Sequence, residues 1–223
     1  TKPKNIIAVT GTNGKTSVSD YFYQILNKNK IPVASIGTLG IKFNNKRIKT
    51  SLTTPDIITL HKYLEKIKKN KIDNVIIEAS SHGLHQKRLD KLNIKAGIFT
   101  NFTQDHLDYH KTMKSYFQAK MILFSKLLNE KKYVIADKSI KQFSTLKKIS
   151  KRKKLKIKDI TEVLVQTENM RLPLVGSFQF KNLSMAILAA KLCNVNYFKI
   201  KKALKEISNI DGRLDLIKKF SNN

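Results

Sequence analysis

The sequence contains one cysteine in 223 residues, no apolar run long enough to span a bilayer, and few acidic residues to set against its bases. Cys193 has no partner in the chain for a disulfide, so a reducing, cytoplasmic compartment is expected. Its place in an apolar helical stretch marks it as core rather than nucleophile. The apolar runs fall well short of the roughly twenty residues that a spanning helix needs, and no membrane span is expected. Thr1-Lys2-Pro3-Lys4 leads straight into a strand, with neither the apolar core nor the cleavage site of a signal peptide. No internal repeat or low-complexity linker interrupts the chain, and its length suits one large α/β domain.

What is abundant is positive charge: 44 Lys and Arg against 16 Asp and Glu, a formal net charge of +28. Such a balance would suit a nucleic-acid binder, because cations that neutralise phosphates release counterions. Here the lysines are spread along the whole chain and seldom alternate with aromatics. Lys, Asn and Ile, all frequent here, share A/T-rich codons, so genome composition accounts for the bias and nucleic acid is not the expected partner. The positive field would still draw in acidic small molecules. The densest cluster, Lys147–Lys158, reads as a surface helix followed by a connection.

Short apolar runs at Ile6–Val9, Val75–Ile77, Gly97–Thr100 and Tyr133–Ala136 look like buried strands of a parallel sheet. Between them, Val18–Leu26, Ile57–Ile67, Tyr116–Leu128 and Ser184–Leu192 carry apolar residues at helical spacing. This alternation predicts a doubly wound, mainly parallel α/β sheet flanked by helices, with ligands at the carboxyl ends of the strands. Leu39–Thr50 departs from it: alternating residues flank Asn44-Asn45, which predicts a small β-hairpin insertion.

The clearest chemical signal is Val9-Thr10-Gly11-Thr12-Asn13-Gly14-Lys15-Thr16-Ser17, between the first strand and a helix. Its glycines let the backbone turn tightly and aim N–H groups at phosphate oxygens. The helix N-terminus adds its dipole, Lys15 a cation for the β- and γ-phosphates, and Thr16 a hydroxyl for Mg²⁺. The strict phosphate-loop pattern places a glycine where this chain has Val9, so the loop is a variant whose first glycine is Gly11. Downstream, Glu78 ends an otherwise apolar strand, the position of a hard oxygen ligand for Mg²⁺. The loop Thr100-Asn101-Phe102-Thr103-Gln104-Asp105-His106-Leu107-Asp108-Tyr109-His110 concentrates groups able to contact metal or phosphate, although a solvated loop tolerates the same residues.

Gly11-Thr12-Asn13-Gly14-Lys15-Thr16 after an apolar strand resembles the phosphate loop of the Mur ligases and of their relatives, the folylpolyglutamate and cyanophycin synthetases. Four further segments extend the resemblance: Thr53-Thr54-Pro55-Asp56, Glu78 with Ser80-Ser81-His82-Gly83-Leu84, Asp105-His106-Leu107-Asp108-Tyr109-His110, and Ala119-Lys120. Gly176-Ser177-Phe178, Asn182 and Gly212-Arg213 also look like family landmarks. The pattern is most similar to the tripeptide-forming Mur ligases. Folylpolyglutamate synthetases usually carry Gly-Lys-Gly-Ser where this chain has Gly14-Lys15-Thr16-Ser17.

The resemblance implies a set of roles. Gly11–Ser17 would bind ATP, Asn182 would read the adenine, and Arg213 would reach the nucleotide phosphates. Thr53, Thr54, Ser80, Gln86 and Arg88 would hold the UDP-N-acetylmuramoyl dipeptide. Thr16, Glu78, His106 and Lys120, the last as a carbamate, would surround Mg²⁺, with Lys15, His106 and Lys120 serving catalysis. It further implies a central domain over residues 1–210, a linker beginning at 211–223, and N- and C-terminal domains on either side, without which ligation would fail. The amino-acid substrate is left open. A generic phosphate-loop NTPase and a basic nucleic-acid-binding module remain the alternatives from other classes.

Overall fold

The computed structural model describes residues 1–44, 46–208 and 210. Strand β1 (Asn5–Thr10) runs into helix α1 (Lys15–Lys28), β2 (Val33–Gly37), β3 (Gly40–Phe43) and β4 (Lys46–Ile48). There follow α2 (Ile57–Lys69), β5 (Asn74–Glu78), α3 (Ser81–His85), β6 (Ile94–Phe99), α4 (Leu107–His110) and α5 (Met113–Ile122). The remainder comprises β7 (Tyr133–Ala136), α6 (Phe143–Arg152), β8 (Lys156–Asp159), α7 (Thr161–Glu168), α8 (Ser177–Leu192) and α9 (Tyr197–Leu204). These strands form one eight-stranded sheet in the order β4-β3-β2-β5-β1-β6-β7-β8. Among the described residues, the pairings along the run β2-β5-β1-β6-β7-β8 are parallel, and only the β2–β3 and β3–β4 pairings are antiparallel.

Alternation along the central strands divides the core into two. Ile7, Val9, Ile76 and Ile98 pack with α1, α8 and α9 on one face. Ile6, Ala8, Val75, Ile77 and Phe99 pack with α2, α5 and the turn after α5 on the other. Both faces of the sheet are therefore covered, which is why its strands read as continuous apolar runs. The chain leaves β1 toward β2 and later returns beyond β1 to β6, so the sheet changes direction between β1 and β6. The crevice outside the carboxyl ends of these two strands is where such folds hold ligands.

The doubly wound reading and the hairpin both hold, the latter turning at Asn44 (φ 49°), while Asn45 lies outside the described residues. Three local readings need correction. Lys147–Lys158 is not a helix plus a connection: the helix stops at Arg152, and Lys156–Asp159 is an edge strand beside β7. Its polar alternation, with one face wet, disguised it. Thr100 falls just past the end of β6. The helix expected over Tyr116–Leu128 begins at Met113 and, from Leu123 to Leu127, widens into a π-helical turn. Strand β2, hidden in the short stretch Val33-Ala34-Ser35-Ile36-Gly37, went unread. Cys193 is buried, and burial pushes its thiol up to about 12, in keeping with a core residue. Among the described residues, no helix is long and apolar enough to cross a membrane.

The hairpin is pinned to α1 by an ion pair, Lys42 Nζ to Asp20 Oδ1 at 2.6 Å, and Asp20 is 8% exposed. Removing the cation strands a nearly buried carboxylate, whereas removing both partners does not. Lys42→Met is expected to destabilise the chain by about 2–3 kcal/mol in urea unfolding, toward the low end for buried pairs because Lys42 keeps some solvent contact. Asp20→Leu combined with Lys42→Met should recover most of that loss.

Candidate functional site

The phosphate loop is built by backbone geometry. Gly11 (φ 148°) and Gly14 (φ 85°) adopt conformations that side chains disfavour, and a Cβ on Gly11 would overlap the Thr100 side chain. The loop is stitched to the segment after β6: Thr12 N–H donates to Asn101 O (3.0 Å) and Asn13 N–H to Asn101 Oδ1 (2.9 Å). The Thr12 hydroxyl donates to Thr103 O (3.1 Å) and accepts from Thr103 N–H (3.0 Å). Asn13 O accepts from the Thr100 hydroxyl at 2.5 Å. The two loops at the switch point thus form one rigid unit.

Above this unit lies a cleft of about 460 Å³ lined by Thr12–Thr16, Thr53, Thr54, Ser80, Arg88, His106 and Lys120 among others. Residues more than a hundred positions apart therefore share one wall-to-wall space. Lys15 Nζ donates to Gly11 O (2.9 Å) and Thr12 O (2.7 Å), and Lys120 Nζ donates to the same Gly11 O (2.8 Å). Lys120 is 1% exposed, which places it among the largest fully buried side chains. Its ammonium stands 4.2 Å from the centroid of the Tyr116 ring. Burial first, and the Lys15 charge second, lower its pKa from 10.5 to about 7.

Thr53, Thr54, Ser80 and Arg88 line the cleft, while Gln86 lies off its wall and is joined to Thr54 through Arg88. The Thr54 hydroxyl donates to Glu78 O (2.6 Å), so at 3.0 Å the Ser80 hydroxyl must donate to Thr54. Arg88 Nη1 donates to Thr54 O (2.6 Å), and Arg88 Nε donates to Gln86 Oε1 (3.0 Å). Glu78 sits beneath the cleft rather than in its wall, 2% exposed, and accepts from the Thr16 hydroxyl at 2.9 Å. Burial raises its pKa, opposed by hydrogen bonds from Thr38 and Thr16. His106 is half-buried with φ 52°, its Nε2 3.4 Å from Asp105 Oδ2. Burial first, and neighbouring histidines second, lower the pKa of His82 and bring that of His110 down to about 4.

Some expected residues lie away from the cleft wall. Asn182, 5% exposed on α8, packs directly against Gly14 from behind, and Ser17 is buried in the first turn of α1. Arg213 and Gly212 are outside the described residues. Sequence reasoning missed Thr38, Ser51, Leu52, Ser81 and His82 as lining residues. Thr38 follows the carboxyl end of β2, so the strand-end rule would have found it had β2 been read.

The donors under the cleft fit a hard cation. The Glu78 carboxylate and the Thr16 hydroxyl are oxygen ligands beside the phosphate loop. Among the described residues, no group of three His, Cys, Asp or Glu forms a cage by itself. One carboxylate and one hydroxyl are a donor set that Mg²⁺ accepts, since it leaves its other positions to water and phosphate.

The profile of the Mur ligase middle domain matches residues 9–190. The chain belongs to the Mur ligase middle-domain family. This Mur ligase domain is 36% identical, over 97% of its length and 48% of the relative's, to the UDP-N-acetylmuramoyl-L-alanyl-D-glutamate–2,6-diaminopimelate ligase of Leptospira interrogans. It is 34% identical to the same-named ligase of Rickettsia bellii, over 97% of this chain and 51% of that one. A solved structure of a ligase of that name superposes with a TM-score of 0.83 at 26% identity, covering 98% of this chain and 49% of that chain. The Mur ligase domain thus spans about half the length of the curated relatives it matches.

The buried amine gives a pH signature. Because the folded pKa of Lys120 is depressed, its neutral form contributes stability that is complete above the ordinary 10.5 and is lost as pH falls through about 7. Lys120→Met removes that dependence. Its stability advantage over the wild type in denaturant unfolding should be largest below pH 7 and shrink as pH approaches 10.5. A constant difference across that window would show that Lys120 titrates as an ordinary lysine.

Proposed function

We propose that residues 1–210 are the central domain of a three-domain, ATP-dependent carboxylate–amine ligase, with 211–223 leading to the next domain. The substrate is UDP-N-acetylmuramoyl-L-alanyl-D-glutamate, to which an amino acid is joined in peptidoglycan synthesis. The convergence of Lys15, Lys120, His106, Thr53, Thr54 and Arg88 on a single cleft at the switch point carries this reading. The activity for which the similar ligases are named supports the substrate class, and the Gly14-Lys15-Thr16-Ser17 ending argues for it over a folylpolyglutamate synthetase.

In this mechanism the phosphate loop cradles ATP with its N–H groups and the N-terminus of α1. The substrate's terminal carboxylate oxygen attacks the γ-phosphorus, and the bond to ADP breaks, giving an acyl phosphate. The incoming amine then attacks the acyl carbon, phosphate leaves with its bonding pair, and the amine gives up a proton. Both steps build negative charge on phosphoryl oxygens, which Lys15 is placed to stabilise. Thr53, Thr54, Ser80, Gln86 and Arg88 orient the dipeptide end. Mg²⁺, held by Thr16, Glu78 and His106, would neutralise phosphate charge and align the γ-phosphoryl group. Asn182, from behind Gly14, would meet the adenine edge, and Arg213 the phosphates.

Lys120 is read as a carbamate. Its formation consumes a neutral amine and CO₂, releases a proton, and turns a cation into an anionic oxygen ligand beside the metal. A pKa near 7 makes the neutral amine abundant at neutral pH, which supports this reading. Lys15→Ala is expected to weaken ATP·Mg binding at least tenfold in calorimetry with little change in unfolding midpoint. Unchanged affinity would remove the loop from the proposal. In the full-length protein, Lys120→Ala should abolish most ligation while short carboxylates restore part of it. Full activity of that variant would refute the carbamate.

A further inference from the structure

The Glu78 carboxylate does not simply end β5; it is seated in a cradle formed by the end of the neighbouring strand β2. Gly37 closes β2, and a Cβ there would overlap Glu78 Oε1, so the carboxylate occupies the space that any other residue would fill. Thr38 then grips both oxygens. Its N–H donates to Oε1 at 3.0 Å and its hydroxyl to Oε2 at 3.1 Å, while the Thr16 hydroxyl donates to Oε2 from the phosphate-loop side. Having given its only proton to Glu78, the Thr38 hydroxyl accepts from Thr53, at 3.2 Å.

Such a seat answers a physical problem. A carboxylate that is 2% exposed has lost nearly all of its water, so its two oxygens need donors from the protein. The three donors aimed at them fix the plane of the group, and two of the three come from Thr38. Thr38 lies on the solvent side of Glu78 and lines the cleft itself.

We infer that Thr38, seated by Gly37, is the positioning residue for the Glu78 carboxylate, holding it aimed at the phosphate-loop hydroxyl and tying it to Thr53 at the dipeptide side. This rests on the magnesium reading proposed above and assigns a residue that reading did not contain. Supporting groups of this kind are worth ten- to a hundredfold in metal affinity.

The test is the magnesium dependence of ATP binding by the 223-residue chain, as the ratio of calorimetric ATP affinities in excess Mg²⁺ and in chelator. Thr38→Val keeps the β-branched shape but deletes the hydroxyl, and should lower the ratio by about tenfold. Thr38→Ser should restore it. Gly37→Ala, which displaces the carboxylate with Thr38 intact, should give the same loss as Thr38→Val and is the independent arm if valine disturbs the fold. A ratio that Glu78→Gln leaves unchanged sinks the magnesium reading and this inference with it. If Glu78→Gln lowers the ratio while Thr38→Val and Gly37→Ala match the wild type, the inference fails and the magnesium reading stands.

Discussion

Two ammonium groups, those of Lys15 and Lys120, donate to one backbone oxygen, the carbonyl of Gly11, at 2.9 and 2.8 Å. Like charges held this close repel, and the N-terminus of α1 adds further positive potential from below. Around this point the rest of the site is arranged. The packing of Tyr116, Ala119 and Met121 on α5 carries Lys120 there, and burial, with the Lys15 charge second, lowers its pKa to about 7, so that loss of a proton relieves the repulsion. Glu78, a deeply buried carboxylate on the strand beside β1, feels the Lys15 charge while accepting from Thr16 and Thr38. The lining of the cleft holds Lys15, Arg88 and Lys120 and no carboxylate among the described residues, a ready place for a polyphosphate.

What transmits this arrangement to the candidate dipeptide side is a line of hydroxyls that runs through the Glu78 carboxylate. Thr16, Glu78, Thr38 and Thr53 are joined in sequence by hydrogen bonds, and Thr54 bonds the Glu78 carbonyl. Phosphate loop, candidate metal carboxylate and candidate dipeptide-binding threonines are therefore mechanically one piece. The stitching of Thr12 and Asn13 to Asn101 and Thr103 makes the opposite wall equally firm. A rigid floor of this kind is what in-line phosphoryl transfer requires, since positioning carries most of its catalysis.

The phosphate loop was readable because its chemistry is local: glycines, lysine and threonine lie within six consecutive positions after one apolar strand. The doubly wound sheet was readable for a similar reason, its central strands being buried on both faces and thus apolar throughout. Strand β8 was not, because an edge strand with a wet face reads as Lys-Ile-Lys-Asp, a surface pattern. Lys120 is the opposite case. Nothing local separates it from its many neighbours in composition, and its burial is a product of long-range packing between α5 and the phosphate loop. Only family resemblance singled it out, and the same holds for Asn182, whose place behind Gly14 depends on α8 crossing α1.

The central claim is that the cleft activates a carboxylate for attack by an amine rather than merely hydrolysing ATP. The most direct measurement is inorganic phosphate released by the full-length protein from ATP·Mg, with each co-substrate added alone and together. The account requires release that depends on both UDP-N-acetylmuramoyl-L-alanyl-D-glutamate and an amino acid. Equal release from ATP·Mg with neither present would contradict it and leave a phosphate-loop NTPase.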